Sequence, residues 1–111
     1  MNKQLNSTTM AFTDDMQKHS AEAAKLLKNI SNEQRLMILC ILLEKELSVG
    51  ELNDLLPQLS QSALSQHLAL LRKSDLVSTR RHSQTIYYSL ASTEVARIIH
   101  LLHEIYCQET C

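Results

Sequence analysis

The sequence predicts a mainly α-helical domain with one small β-hairpin. A content of 44% hydrophobic residues, with one Gly and one Pro, favours helices that few tight turns interrupt. Two short helical segments flank a turn at residues 57–59, and two β-rich segments follow them. Helices joined by such a turn and followed by a hairpin indicate a winged helix-turn-helix, with two helices before it and one after it.

The folded domain is predicted over residues 13–109, after a mobile tail over residues 1–12. The tail is polar and has no periodic apolar pattern. Thr13 is a good N-cap for the first helix. Asp14 and Asp15 would then lie in its first turn, where the helix dipole favours acidic side chains.

The second helix is predicted to begin at a capping box formed by Ser31 and Gln34. Its body, residues 36–43, is apolar on every side, which indicates a helix buried in the middle of the domain. Cys40 lies in this run and, taken alone, is typical of a small core residue.

The third helix is predicted to be short. Ser48 is a good N-cap with Glu51 as its capping-box partner, and Pro57 ends the helix. Its apolar face holds Leu52, Leu55 and Leu56.

The fourth helix carries the candidate DNA-reading residues. Leu64, Leu68 and Leu71 form one buried stripe, and the polar residues lie off it. In a helix-turn-helix, the start of the second helix enters the major groove, where Gln can pair with adenine and Ser with several base edges. The alternative is a solvated amphipathic helix with a polar outer face. Ser60 or Ser62 caps the helix, and the candidate contacts are Ser60, Gln61, Ser62, Ser65, Gln66 and His67.

The hairpin favours the DNA-binding alternative. Its strands are predicted at residues 77–81 and 85–90, with residues 82–84 as the link. Arg80 and Arg81 near its tip suit contact with phosphates or the minor groove. From residue 58 to residue 90 there are four basic side chains and one acidic one, a balance of +3 in a chain of net charge −1.

The last helix is predicted to form a dimer interface together with the first helix. Each offers more apolar surface than one small core needs, which favours a homodimer through these two helices. Such a dimer places two recognition helices about one DNA turn apart. Ser92 or Thr93 caps the last helix, and its apolar residues are Val95, Ile98, Ile99, Leu101, Leu102, Ile105 and Tyr106.

Several function classes are disfavoured. No apolar run approaches the roughly 18 residues that span a membrane, and the first residues lack a signal-peptide core, so we expect a cytoplasmic protein. Three widely spaced cysteines without a CxxC pair favour thiols in a reducing compartment over a disulfide framework or a structural zinc site. No nucleophile with its base and no phosphate loop is visible, so we expect neither an enzyme nor a cofactor.

Several segments together resemble the ArsR/SmtB family of winged-helix repressors. They are NEQRLMILCIL, ELSVGEL, LSQSALSQHLALLR and RRHSQTIYYSL, and the resemblance covers roughly residues 16–108. It implies a homodimer whose subunits have five helices and a two-stranded wing. The dimer would bind a partly palindromic operator in double-stranded DNA and be released by an inducer.

The metal ligands of the family's metal sensors are not matched. Arsenic and cadmium sensors carry a cysteine pair where this chain has Ser48 and Gly50. His100 and His103 have HxxH spacing, so a metal site in the last helix is an alternative to plain surface residues. The Asp/His/His/Glu set of the zinc sensors falls here on Ser92, Glu94, Ile105 and Gln108.

Cys40 and Cys107 resemble the cysteine pair of a thiol-based subgroup that includes BigR, SqrR, YgaV and HlyU. The resemblance implies sensing of persulfides, hydrogen sulfide stress or oxidants, without a metal ion. We expect a repressor that binds operator DNA when reduced and is released when Cys40 and Cys107 are crosslinked by a disulfide or a tetrasulfide. The alternatives are an HlyU-like activator or antirepressor with redox-modulated DNA binding, and a metal sensor that uses the C-terminal histidines.

Within this pair, Cys107 is the expected first target of a low-molecular-weight persulfide. It lies near a helix end, and a less desolvated thiol forms the attacking thiolate more readily. Cys111 has no counterpart in the subgroup, so no role is assigned to it.

Overall fold

The computed structural model describes residues 7–107, with side chains from residue 11 onward. Its elements confirm the predicted winged helix-turn-helix with five helices, and they add one short strand. None of the helices in this part of the chain is long and apolar enough to cross a membrane. In chain order the elements are α1 (Ser7–Ile30), α2 (Glu33–Ile41), β1 (Leu47–Ser48), α3 (Val49–Leu55), α4 (Gln61–Lys73), β2 (Val77–His82), β3 (Thr85–Leu90) and α5 (Thr93–Cys107).

One core joins helices α2 to α5 and includes Ile30 at the end of α1. The predicted stripe on α4 is confirmed, because Leu64, Leu68 and Leu71 are at most 1% exposed. These leucines belong to the same buried cluster as Ile38 and Leu39 of α2. Helix α4 is therefore fixed on its apolar side, which leaves its opposite side for contacts outside the domain.

Helix α1 begins earlier than the sequence predicted. It starts at Ser7, so Thr13 is not its N-cap, and Asp14 and Asp15 lie inside the helix rather than in its first turn. Residues 7–13 contain no Gly or Pro, the residues that most strongly disfavour a helix, so the helix can extend through them. Half of the predicted tail is thus helical, and residues 1–6 lie outside the described part of the chain.

The predicted start of α2 was also wrong. The cap is Asn32, whose Oδ1 accepts hydrogen bonds from the backbone N–H groups of Gln34 and Arg35, both at 3.0 Å. Ser31 and Gln34 therefore form no capping box at this helix start. Two capping residues stand side by side here, and the one nearer the helix reaches two amide groups at once.

Helix α2 is not buried on every side as predicted. Its inner face holds Ile38 and Leu39, both 0% exposed, but Met37 is 45% exposed and Cys40 is also exposed. The domain has too few elements to surround a central helix completely. One face of α2 is therefore open in the single chain.

Two predicted helix starts are confirmed. At α3, the hydroxyl of Ser48 accepts from the Glu51 N–H at 3.2 Å, and the Glu51 carboxylate accepts from the Ser48 N–H at 2.9 Å. At α5, the Ser92 hydroxyl accepts from the Val95 N–H at 3.3 Å. Both starts rest on side chains within three residues of each other, which a sequence pattern can reveal.

The wing is a three-stranded antiparallel sheet in the order β1-β3-β2. Strand β1 was not predicted, because it has only two residues, and it pairs Leu47 with Tyr88 of β3. In the hairpin, His82 pairs with Thr85, so His82 is part of the strand rather than of the predicted three-residue link. The link is two residues long, and Ser83 adopts a positive φ of 58°.

Candidate functional site

The outer face of α4 presents the predicted polar residues to solvent. Because the leucine stripe faces the core, Gln61, Ser62, Ser65 and Gln66 all remain exposed. We call these four residues the recognition surface. They lie in the first two turns of α4, which is the part of a recognition helix that reaches base edges.

Ser60 has a structural role at the start of α4. Its hydroxyl oxygen accepts a hydrogen bond from the Ala63 N–H at 3.0 Å and caps the helix. Ser62, the other predicted cap, is a residue of the helix itself. The Ser60 proton can still be donated to a phosphate, so its predicted DNA contact is compatible with the cap.

His67 differs from the other predicted DNA contacts, because it is half-buried. Burial lowers the pKa of His67, and the positive charge of Arg35 on α2 lowers it further. The imidazole is therefore neutral at pH 7, with one donor and one acceptor nitrogen. Arg35 was not among the predicted site residues, and its Nε donates to the Asn29 carbonyl oxygen at 2.7 Å. No motif signals it, because it approaches α4 only in the folded chain.

Arg80 of the wing has an intramolecular partner. Its Nε lies 3.0 Å and 3.1 Å from the two carboxylate oxygens of Glu46, and its Nη2 lies 2.8 Å from Oε1. Its guanidinium carbon lies 5.1 Å from the centre of the Tyr87 ring. The hydrogen bond from Arg80 lowers the pKa of the Glu46 carboxyl, which stays ionised and offsets the Arg80 charge. The predicted phosphate contact of Arg80 thus competes with an existing ion pair.

Arg81 projects from the opposite face of the same strand, since neighbouring strand residues alternate. It is exposed, and its Nε donates to the Ser83 carbonyl oxygen at 3.1 Å, which holds the side chain against the hairpin turn. The two adjacent arginines therefore differ in environment. Unlike Arg80, Arg81 forms no ion pair with a carboxylate among the described residues.

Cys40 and Cys107 interact although they come from different helices. Both are thiols, Cys40 exposed on α2 and Cys107 half-buried as the last residue of α5. Although Cys40 is exposed as a residue, neighbouring atoms partly desolvate its thiol and raise the pKa, and the charge of the Cys107 thiolate raises it further. The fold therefore brings these two predicted residues within electrostatic range of each other. Gln108 and Cys111 lie outside the described residues.

Cys40 opens into a surface cleft of about 420 Å³, which we call the Cys40 cleft. His100 and His103 line it as well, and their spacing of three residues places them on one face of α5. No group of three His, Cys, Asp or Glu residues within residues 7–107 is arranged to hold a metal ion. The other lining residues were not predicted, since they meet only in the fold. They are Ile41, Leu43, Glu44, Lys45 and Leu55.

Apolar surface remains exposed on both helices predicted to form a dimer. Leu27 on α1 is 58% exposed, and Leu101 and Ile105 on α5 are each 55% exposed. Leu27 and Leu102 also line a second cleft of about 600 Å³ between these helices and α2. Exposed apolar surface of this kind is typical of a protein that associates with a second chain.

Comparisons with known proteins agree with this geometry. The family model described as "Bacterial regulatory protein, arsR family" matches residues 32–79. The transcriptional activator HlyU of Vibrio cholerae is 61% identical over 94 residues, which are 85% of this chain and 86% of that protein.

Two solved structures are similar throughout the domain. The structure titled "Reduced HlyU" from Vibrio cholerae has a TM-score of 0.78 at 60% identity and covers 84% of this chain and 97% of its own. The transcriptional repressor BigR from Xylella fastidiosa has a TM-score of 0.79 at 42% identity, covering 86% and 96%.

These matches extend well beyond the helix-turn-helix. Proteins of the arsR family are regulators that bind DNA and typically act as dimers, which confirms the prediction that the chain is not an enzyme. This chain belongs to the ArsR family of bacterial regulatory proteins and is a transcriptional regulator with a winged helix-turn-helix fold.

Proposed function

We propose that the protein is a dithiol-switched repressor. The reduced homodimer, joined through α1 and α5, binds operator DNA with the recognition surface and the wing. A crosslink between Cys40 and Cys107 within one subunit releases it. The proposal is supported by the placement of two thiols on α2 and α5, near enough for the charge of Cys107 to raise the pKa of Cys40, and by the cleft onto which Cys40 opens.

The crosslink needs an oxidant, and a low-molecular-weight persulfide supplies it. A thiolate of the pair attacks the outer sulfur of the persulfide, whose S–S bond breaks and releases a thiol. The new protein persulfide is attacked at its inner sulfur by the second thiolate, which forms a disulfide and expels hydrosulfide. The outer sulfur is reduced to sulfide as the two cysteines are oxidised.

A tetrasulfide forms instead when both cysteines first take up a sulfur atom. Coupling of the two protein persulfides then needs a further persulfide molecule, which accepts the two electrons and leaves as thiol and hydrogen sulfide. A disulfide requires Cα atoms about 4.4–6.8 Å apart, whereas packed helix axes lie about 8–10 Å apart. The longer bridge would therefore need a smaller movement of α5.

The crosslink would act on DNA through the shared core. Helix α2 packs with α4 in one buried cluster, and α5 carries the proposed dimer surface. Tying α2 to α5 would change the position of α4 relative to the dimer axis. Two recognition helices bind together only when their separation fits the half-sites, so a changed separation lowers affinity.

Fluorescence anisotropy with operator DNA tests this proposal. We expect glutathione persulfide to weaken binding by the wild-type protein about 100-fold, within the usual range of coupling between two sites. Cys40→Ser and Cys107→Ser should bind as the untreated wild type does and should not respond, with mass spectrometry confirming that no crosslink forms. A crosslinked wild type that keeps full affinity would refute the switch.

A second candidate has specific support, because the relative with 61% identity is named a transcriptional activator. As an antirepressor, the protein would displace a silencing protein from a promoter, so its DNA binding would raise transcription. In vitro transcription from the target promoter separates the two readings. A repressor lowers transcript yield when polymerase is the only other protein present, whereas an antirepressor raises it only when the silencer has been added.

A further inference from the structure

We infer that Asn53 of α3 is a positioning residue for operator recognition. Its side-chain amide closes the turn between α3 and α4 and so sets the angle at which the recognition surface meets the major groove. This inference rests on the recognition surface of the proposed function and gives that surface a determinant outside α4. Asn53 acts through the turn rather than by contact with DNA.

The Asn53 side chain bridges the two ends of the turn. Its Nδ2 donates to the Leu59 carbonyl oxygen at 2.9 Å and lies 3.4 Å from the Leu56 carbonyl oxygen. Leu56 follows the last residue of α3, and Leu59 comes directly before Ser60, which caps α4. One half-buried side chain therefore holds both the end of α3 and the residue that leads into α4.

The turn has no glycine to close it. Turns of helix-turn-helix motifs often contain Gly, and a left-handed residue commonly closes the end of a helix. The single Gly of the chain is Gly50, and in the described part of the chain only Asp75 and Ser83 have a positive φ. Pro57 brings no backbone N–H to the turn. An amide side chain with two N–H donors supplies the hydrogen bonds that the backbone of this turn lacks.

Core packing alone leaves the angle of α4 incompletely fixed. The buried leucines hold the helix against the domain, but packed helices scatter by about 15–20° around their preferred crossing angles. A functional site needs its groups within about 0.5 Å and 10–20° of the productive geometry. Gln61, the first residue of the recognition surface, lies two positions after Leu59. A tie at Leu59 therefore restricts the freedom that the leucines leave at the start of α4.

A second side-chain contact of the turn is less able to hold it. The Nε2 of Gln58 donates to the Oε1 of Gln34, in the first turn of α2, at 3.1 Å. This bond is exposed, so water can replace either partner. The bond from Asn53 to the Leu59 carbonyl is partly buried, and loss of the amide would leave that carbonyl without its donor. Asn53 is thus the main side-chain tie between the turn and α3.

Loss of the Asn53 amide should weaken selective binding more than general binding to DNA. Contacts with base edges require the recognition surface in one orientation. Phosphate contacts carry no sequence information and form in many registers along the duplex. The ratio of the affinities for selected and for scrambled DNA therefore reports the orientation of α4.

Fluorescence anisotropy with two duplexes tests the inference. One duplex is selected by the reduced wild-type protein from a random-sequence pool, and the other is a scrambled sequence of the same composition. Asn53→Ala should weaken binding to the selected duplex about tenfold, the effect of weakening about one base contact, and should leave binding to the scrambled duplex within about twofold. Circular dichroism confirms that the variant is folded at the temperature of measurement.

Two further variants separate positioning from stability. The Asn53→Ser side chain is too short to reach the Leu59 carbonyl but keeps a polar group at this half-buried position. It should give the same loss, and it decides the test if Asn53→Ala does not fold. Ser92→Ala removes a partly buried cap hydrogen bond at the start of α5, away from the turn, and should keep the wild-type ratio.

The outcomes distinguish this inference from the proposed function. An unchanged ratio in the folded Asn53 variants, or an equal fall of the ratio in Ser92→Ala, would overturn the inference and leave the recognition surface standing. If the wild type enriches no duplex and binds all sequences equally, the recognition surface fails and the inference fails with it. Release of the selected duplex by glutathione persulfide is measured on the wild type and reports on the dithiol switch separately.

Discussion

The recognition surface and the Cys40 cleft are built in different ways. The recognition surface lies on the first two turns of one helix, whose opposite side is fixed by three buried leucines. The cleft joins residues from α2, the loop after it, α3 and α5. Residues on the recognition surface can therefore be substituted without disturbing the core. A movement at the cleft, by contrast, displaces helices that pack against the rest of the domain.

A substitution in the shared core should destabilise the recognition surface and the Cys40 cleft together. Leu39→Ala should lower the free energy of unfolding by about 2–5 kcal/mol, because Leu39 is 0% exposed and its loss leaves a cavity. Urea unfolding followed by circular dichroism measures this. Leu55→Ala, at a side chain that is 53% exposed, should cost less than about 1 kcal/mol. Equal losses in the two variants would mean that the two regions do not depend on this core.

A substitution on the recognition surface should lower operator affinity without affecting the Cys40 cleft. Gln66→Ala should cost about 1–3 kcal/mol of operator affinity and relax the preference at one base pair, as loss of a bidentate contact does. Its response to persulfide should be unchanged, since the cleft is intact. Operator variants measured by anisotropy show the effect, with Gln17→Ala on α1 as the control. A variant that binds normally but no longer responds would place Gln66 in the switch instead.

The smallest effect separates the two wing arginines. Arg81→Ala should reduce the slope of log affinity against log salt by about one, the value for one phosphate contact. Arg80→Ala should change the slope less, because Glu46 already offsets its charge. Glu46→Gln should steepen the slope by freeing Arg80 for phosphate. Identical slopes for the two arginine variants would show that the ion pair yields to DNA.

The parts predicted from sequence are those fixed by near neighbours in the chain. The Ser48–Glu51 capping box and the leucine stripe of α4 depend on residues three or four positions apart, so their spacing reveals them. The predicted start of α2 was wrong for a reason that is also local. Ser31 and Asn32 are both good N-caps, and only the folded geometry selects Asn32. The two wing strands were predicted from their composition, but the exact link was not.

The contacts that were not predicted join residues that are far apart in the sequence. Glu46 and Arg80 are 34 residues apart and meet because β1 and β2 lie on either side of β3. The lining of the Cys40 cleft likewise comes from α2, α3 and α5, which meet only in the fold. The Cys40–Cys107 pair was suggested by resemblance rather than by spacing, since no pattern within one element relates the two residues.

The order of the sheet gives the wing charges a further consequence. Strand β2 has a neighbour on one side only within the described sheet, so its other edge is open. An open strand of six residues is a template on which another copy can add a strand. In an antiparallel pair that places Arg81 opposite Arg81 of that copy, the two like charges destabilise the pairing, since no carboxylate among the described residues is paired with Arg81. Arg81 thus opposes self-aggregation whether or not any DNA is present.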